Sequence, residues 1–191
     1  MKYYNILEWV DMFEKDNGVV DPKEDFLESN STILYPGRFY MLQYMATQTK
    51  ERFNARPVIL SMGLSKKDPN SFLCVDLSVM PYQVRRRFIE LYFNTYYNTI
   101  TSNIDEYLYT EDADKQKGMM SFSYDNFCKS MPTLPIKYAV KRYKIENTLK
   151  IYSIPYQQVY KVIGKFCDQN YYVNGTIRDV QNEFIKKAQK G

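Results

Sequence analysis

Apolar and polar residues in the middle of the chain follow the pattern of three short β-strands. Runs rich in β-branched, aromatic or long apolar residues span Arg38–Ala46, Arg56–Gly63 and Ser71–Val79. The polar run Ser65–Asn70 predicts the turn between the last two strands. Connections this short permit hairpins, whereas parallel pairs need a crossover. The pattern therefore predicts an antiparallel β-meander over residues 38–79.

Both faces of this predicted sheet carry apolar side chains, so both are expected to be covered. In the third strand Leu73, Val75, Leu77 and Val79 share one face, and Phe72, Cys74, Asp76 and Ser78 share the other. Asp76 is the only acidic residue inside a predicted strand. A lone carboxylate without a nearby acid or base is a weak catalytic signal. We interpret Asp76 as a hydrogen-bonded structural residue or an ion-pair partner at an interface; an enzyme centred on it is the alternative.

Helical periodicity is found on both sides of the meander. Pro81 is expected to open the main helix, which runs to about Tyr97. Shorter helices are expected at residues 3–15 and at Phe122–Met131, with a polar loop at Glu111–Gly118.

The C-terminal part is also predicted to be mainly helical. Ile136–Lys150 interleaves basic and apolar residues, with Lys137, Lys141 and Lys144 spaced as on one helical face. An extended segment at Ile151–Pro155 and a helix at Tyr156–Phe166 follow. Thr176 is a good N-cap with Asp179 three residues on, and it predicts a last helix ending near Ala188.

These elements predict the α+β fold class. The expected architecture is a small antiparallel meander of about three strands, residues 38–79, covered by helices, with a helical C-terminal part.

The two parts of the chain differ in net charge. Residues 1–114 carry 12 Lys/Arg and 17 Asp/Glu, whereas residues 115–191 carry 14 Lys/Arg and 5 Asp/Glu. We expect both parts to belong to one compact domain, since 191 residues suit a single domain. Such asymmetry suits nucleic acid, an acidic neighbour or head-to-tail packing of identical subunits.

The amino-acid composition excludes several classes of catalytic and metal-binding site. The chain has no histidine, which excludes Ser-His-Asp and Cys-His catalysis and histidine-containing metal sites. Its three cysteines form no C-x-x-C pair, so no zinc site, disulfide framework or other cofactor is predicted. The first residues predict no signal peptide, and no apolar run approaches the ~20 residues of a membrane span. The 19 tyrosines are typical of protein interfaces and equally of an AT-rich genome. An enzyme or a small-molecule substrate is not indicated.

Two groups of cationic residues are candidate contacts for phosphate or for a neighbouring subunit. Three consecutive helical residues fan over about 200°, so at least one arginine of the first group is expected to pair within the chain. In the second group, tyrosines beside cations resemble the single-strand binding pattern, with Tyr138 and Tyr143 as stacking candidates. An ordinary amphipathic surface helix explains it equally well. The candidate residues are Arg85, Arg86 and Arg87 in the first group, and Lys137, Lys141, Arg142 and Lys144 in the second.

The stretch from Tyr35 to about residue 90 resembles small proteins of tailed bacteriophages, in the style of crAss-like podoviruses. The resemblance lies in Tyr35-Pro36-Gly37-Arg38-Phe39-Tyr40, Thr49-Lys50, Arg56-Pro57-Val58-Ile59-Leu60, Phe72-Leu73-Cys74-Val75-Asp76-Leu77 and Met80-Pro81, with a later echo from Arg142-Tyr143 to Ile154-Pro155-Tyr156. Some of these proteins are virion structural components of the neck or tail, and others protect DNA ends. No functional residue is carried over, because Cys-Val-Asp stands here where that pattern has Gly-Leu-Asn.

The resemblance implies a structural virion subunit that forms a ring or collar at the portal, neck or tail. Its expected partners are further copies of the chain and other virion proteins, and its expected location is the virion after synthesis in the host cytoplasm. A phage DNA-binding protein that protects genome ends is the alternative. No membrane partner is expected.

Overall fold

A computed structural model describes residues 34–46, 52–101, 129, 134–154 and 158–191, and the backbone of 27–28. Side chains at 95–101 and at Lys165 are outside this description. The predicted helix at 3–15 and the predicted loop at Glu111–Gly118 lie outside the described residues, as does the predicted helix at Phe122–Met131 apart from Lys129.

The described chain folds into an α+β arrangement built on antiparallel strands, and the predicted fold class is confirmed. The strands are β1 Leu27–Glu28, β2 Phe39–Tyr44, β3 Phe53–Asn54, β4 Val58–Ser65, β5 Asp68–Asp76, β6 Val140–Lys144, β7 Thr148–Ser153 and β8 Tyr172–Val173. The main sheet has the order β1-β7-β2-β4-β5-β6, and β3 pairs with β8 in a small second sheet. Strands β2, β4 and β5 are the predicted meander.

The hairpin between β4 and β5 is tighter than the sequence predicts. Ser65 pairs with Asp68, so Lys66 and Lys67 alone form the turn. Shortly before the turn, the register of β4 shifts between Ser61 and Leu64. Gly63 lies in this irregular stretch with φ 87°, a conformation that favours glycine.

The predicted helix over Ile136–Lys150 is wrong. The segment contains a 3₁₀ turn at Ile136–Tyr138, strand β6, a second 3₁₀ turn at Ile145–Asn147 and the first residues of β7. Residues 142–144 alternate in burial, with Tyr143 buried between the exposed Arg142 and Lys144. Side chains that alternate between the two faces and the pairing with β5 are features of a strand, and they outweigh the helical spacing of the lysines. The predicted extended segment at Ile151–Pro155 is confirmed as the end of β7 for Ile151–Ser153.

The main sheet curls strongly without closing. The rings of Tyr44 on β2 and Tyr143 on β6 are 5.0 Å apart, although β4 and β5 lie between their strands in the sheet. Only Ile145–Asn147 joins β6 to β7, which are separated by three strands. The inner face therefore forms its own apolar core, whose buried members are Leu34, Tyr40, Leu42, Ile59, Phe72, Cys74, Tyr143 and Ile151.

Helices cover the outer face. Helix α1 is Tyr82–Thr101, α2 is a turn at Val159–Lys161 that continues as a π-helix at Val162–Phe166, and α3 is Ile177–Lys190. The larger core joins the outer side chains of β2, β4 and β5 to these helices, and it includes Phe39, Leu60, Val75, Phe88, Tyr92, Val162, Val180 and Phe184. Residues from both sides of position 114 therefore share one core.

All three described helices were predicted from the sequence, and the predicted cap of α3 is confirmed. The Thr176 side chain accepts a hydrogen bond from the Asp179 backbone N–H at 3.2 Å. The Asp179 carboxylate accepts one from the Thr176 backbone N–H at 3.0 Å. This reciprocal pair satisfies two backbone donors that the helix itself leaves free.

Candidate functional site

Arg85 is the most deeply placed of the candidate cations. Its side chain is fully buried at the start of α1, where one guanidinium nitrogen donates to the Met80 carbonyl oxygen at 3.1 Å. A second nitrogen lies 2.6 Å from a carboxylate oxygen of Asp168, which follows α2. Arg85 thus joins α1 to the end of α2, and it is not available to an external phosphate.

Arg86 and Arg87 contact one carboxylate on their own helix. Arg86 Nε lies 3.1 Å from Glu90 Oε1, and a guanidinium nitrogen of Arg87 lies 3.3 Å from Glu90 Oε2. The expected internal pairing within the arginine cluster is therefore present at all three positions. Arg87 remains the more accessible of this pair, with 59% of its side chain exposed.

The four candidate residues of the second group do not share one surface. Lys137 is exposed in the first 3₁₀ turn, with its ammonium 4.9 Å from the Tyr138 ring centroid. Along β6, Lys141 lies on the inner side with Tyr143, whereas Arg142 and Lys144 lie on the outer side. The predicted single face of Lys137, Lys141 and Lys144 is therefore wrong, because it assumed a helix.

Asp76 is the centre of a buried polar group at the end of β5. Its side chain is inaccessible to solvent and accepts hydrogen bonds from the Tyr143 hydroxyl at 2.7 Å and the Ser78 backbone N–H at 3.0 Å. The Lys141 ammonium lies 3.4 Å from the same oxygen that Tyr143 contacts. The structural interpretation of Asp76 agrees with these contacts, which join β5, β6 and the 3₁₀ turn at Leu77–Val79.

The groups around Asp76 are held in their neutral forms. Burial, and then the negative charge of Asp76, raise the pKa of the Tyr143 hydroxyl well above its ordinary value. The same two causes, in the same order, raise the pKa of the Cys74 thiol. Tyr143 therefore acts as a permanent hydrogen-bond donor to Asp76, and it cannot stack on a nucleic-acid base because its ring is buried.

A second buried thiol lies near Arg85. Burial raises the pKa of Cys167 to about 12, and the positive charge of Arg85 opposes the shift. A thiol with so high a pKa is a poor nucleophile at neutral pH. Among the described residues, no group of three or more Cys, Asp or Glu side chains could hold a metal ion.

The outer edge of β6, defined as the backbone of Val140, Arg142 and Lys144, is the feature that sequence reasoning missed. The Asp76 N–H donates to the Ala139 carbonyl oxygen at 2.8 Å, which makes this a hydrogen-bonded pair. Hydrogen-bonded and non-bonded pairs alternate along an antiparallel ladder. The backbone groups of Lys141 and Tyr143 therefore face β5, and those of Val140, Arg142 and Lys144 face away from it.

This edge has no strand partner in the described part of the chain. At one end of the edge, the Lys144 carbonyl oxygen accepts a hydrogen bond from the Thr148 hydroxyl at 3.0 Å. The Arg142 side chain is exposed and forms no ion pair with a described residue, whereas Lys144 lies 3.2 Å from Glu146. The short alternation Arg-Tyr-Lys at 142–144 was the local signal that favoured a strand, but no signal in the sequence indicated that this strand lies at an edge.

Comparison with known proteins adds no relative: no protein-family model, curated protein or solved structure matches the chain. Within the described residues, no helix is long and apolar enough to cross a membrane.

Proposed function

We propose that the protein is a structural subunit of a phage virion, which packs with further copies into a ring or collar at the portal, neck or tail. The outer edge of β6, which pairs with no described strand, is the observation that carries this proposal. An unpaired edge strand offers backbone donors and acceptors to another chain, and natural proteins usually shorten or cover such edges. Here the edge keeps an exposed Arg142 in a chain whose first 114 residues are acidic.

Two further observations favour a role in subunit packing over a catalytic role. Asp76 and Arg85 are buried and bind neighbouring elements, so they serve the cohesion of the subunit. The acidic and basic parts of the chain suit contacts between the unlike ends of identical subunits, which generate rings when the rotation closes. Residues 35–90 resemble small phage proteins that are neck or tail components or protect DNA ends, and neither of these roles is catalytic. The proposal gives the chain no catalytic role and places it in the virion beside portal or tail proteins.

Sedimentation velocity of the purified protein, with and without a linear DNA duplex, tests the proposal. A discrete large oligomer without DNA is the expected result. A monomer under both conditions would contradict self-assembly, and a monomer that sediments faster only with DNA would favour genome-end protection.

The alternative, a DNA-binding protein that protects genome ends, is favoured by one group of exposed cations. Lys66 and Lys67 form the β4–β5 turn, and Lys67 lies four residues before Ser71, which pairs with Lys144. With Arg142, these side chains place positive charge at one end of the sheet. If these side chains bind DNA, the affinity of the protein for DNA should fall steeply between roughly 50 and 200 mM salt. An R142E/K144E variant that binds DNA like the wild type would exclude this group as the site.

A further inference from the structure

The outer edge of β6 has the features of a site for an added strand. Both backbone groups of Val140 and of Arg142 point away from β5, and none bonds to a described residue. The N–H and C=O groups of these two residues provide four hydrogen-bonding positions in strand register. Peptides that extend a sheet in this way gain affinity from the main chain and specificity from alternate side chains.

Charge indicates what the added strand must carry. The outward side chains beside this edge, Arg142 and Lys144, are both cationic and exposed. The exposed lysines of the β4–β5 turn add positive charge near the Lys144 end. Like charges opposite each other destabilise a strand pair, so a second copy of β6 is a poor partner and an acidic strand is a good one.

The chain contains one segment that combines acidity with strand-forming residues. Residues 105–114 read Asp-Glu-Tyr-Leu-Tyr-Thr-Glu-Asp-Ala-Asp, with five acidic residues and no basic one. Tyr107, Tyr109 and Thr110 at its centre have high β-propensity, and the segment has no proline or glycine. The acidic stretch at residues 16–28 contains Pro22 and Gly18, which suit an added strand less well.

We propose that the outer edge of β6 binds residues 105–114 of a second copy as an added antiparallel or parallel strand. The inference rests on the proposed self-assembly and names its contact. Arg142 is the specificity-determining residue, because its side chain is exposed and its backbone offers both outward groups. Each subunit carries one edge and one acidic segment, so the contact is head-to-tail and each copy can bind two neighbours.

The test uses a fluorescein-labelled synthetic peptide of residues 103–116 and the whole 191-residue chain, with fluorescence anisotropy at low salt. Saturable binding is expected. Reversal of charge in Arg142→Glu should raise the dissociation constant roughly ten-fold, because it replaces an attractive contact with the acidic peptide by a repulsive one. Arg178→Glu makes the same charge change at an exposed position on α3 and should leave binding unchanged.

A second pair of variants separates the contribution of the Arg142 backbone N–H to peptide binding from that of its side-chain charge. Arg142→Ala removes the cation only, whereas Arg142→Pro also removes the outward N–H, at an edge position where proline is tolerated. Weaker peptide binding by the proline variant than by the alanine variant is expected. If the proline variant does not fold, the Arg142→Glu and Arg142→Ala results still decide the matter.

A scrambled peptide of the same composition tests whether the protein binds any acidic peptide, whatever its sequence. Equal binding of the scrambled peptide, or no effect of Arg142→Glu, would overturn the inference. A wild-type protein that forms oligomers while ignoring the peptide, with Arg142→Glu assembling normally, would overturn this contact and leave the proposed function standing. A monomeric protein that binds the peptide specifically would support the edge site and contradict the proposed self-assembly.

Discussion

Arg85, Arg86 and Arg87 are adjacent in sequence and have different surroundings. Successive residues in an α-helix are rotated by about 100°, so one of three consecutive side chains can enter the core while another faces solvent. Arg85 enters and contacts Met80 and Asp168, whereas Arg87 remains mostly exposed. The sequence could predict that the cluster divides. It could not identify the buried member, because Asp168 lies 83 residues further along the chain.

Replacement of Arg85 tests this difference at the residue scale. Arg85→Ala is expected to lower the free energy of unfolding by about 2–3 kcal/mol, because it removes a buried cation and leaves the Met80 carbonyl oxygen without this donor. The loss should stay below that of a fully buried ion pair, since 45% of the Asp168 side chain is exposed. Urea denaturation measures the change.

Arg87→Ala is the matched control for this measurement, and it should change stability by no more than about 0.5 kcal/mol. Equal losses in the two variants would contradict the assigned structural role of Arg85.

At the scale of elements, the sequence predicted the meander and the three described helices well, and predicted β6 and the start of β7 wrongly. The meander strands are contiguous, so their length, composition and turns are visible locally. The pairing of β6 with β5 joins Val140 to Val75, and no local signal records such a partner. The wrongly predicted helix placed Lys137, Lys141 and Lys144 on one face, so the single cationic surface predicted from it was wrong as well. The outer edge of β6 could only be found once the strand and its register were known.

Helix α3 offers a test of the cap that the sequence did predict. Thr176→Ala removes both the hydroxyl acceptor for the Asp179 N–H and a hydroxyl contact with its carboxylate. We expect a loss of about 1 kcal/mol in the free energy of unfolding. Chemical denaturation monitored by circular dichroism provides the measurement.

Asn182→Ala, at an exposed position on the same helix, is the control and should be neutral or slightly stabilising, because alanine has the higher helix propensity. A neutral Thr176→Ala would show that packing of Val180 and Phe184 alone defines the start of α3.

At the scale of the whole molecule, buried neutral acids make stability depend on pH in the alkaline range. The pKa of Cys167 rises from 9.0 to about 12 on folding, and burial also raises the pKa values of Tyr143, Tyr160 and Tyr172. A raised pKa in the folded state means that the unfolded chain releases its proton first. The stabilising contribution is therefore complete below about pH 9 and is lost as pH rises toward 12.

For Cys167 alone, this loss should reach about 1 kcal/mol between pH 9 and pH 10. Urea unfolding at pH 8, 9 and 10 measures it, and Cys167→Ala should show a shallower decline than the wild type over that interval. Parallel declines would mean that the thiol does not contribute.

The pairing of β2 with β7, which follows the turn at Ile145–Asn147, also limits when the protein can fold during its synthesis. Tyr40 on β2 pairs with Ser153 on β7, so the first strand of the meander gains this neighbour only after more than a hundred further residues have been added. Until then, one edge of β2 is open on the nascent chain, beside the apolar residues of its own strand. Pairings this distant in sequence slow folding, typically to the millisecond-to-second range. A ribosome-bound chain that ends before residue 148 would therefore hold an incomplete sheet, which is a natural target for molecular chaperones.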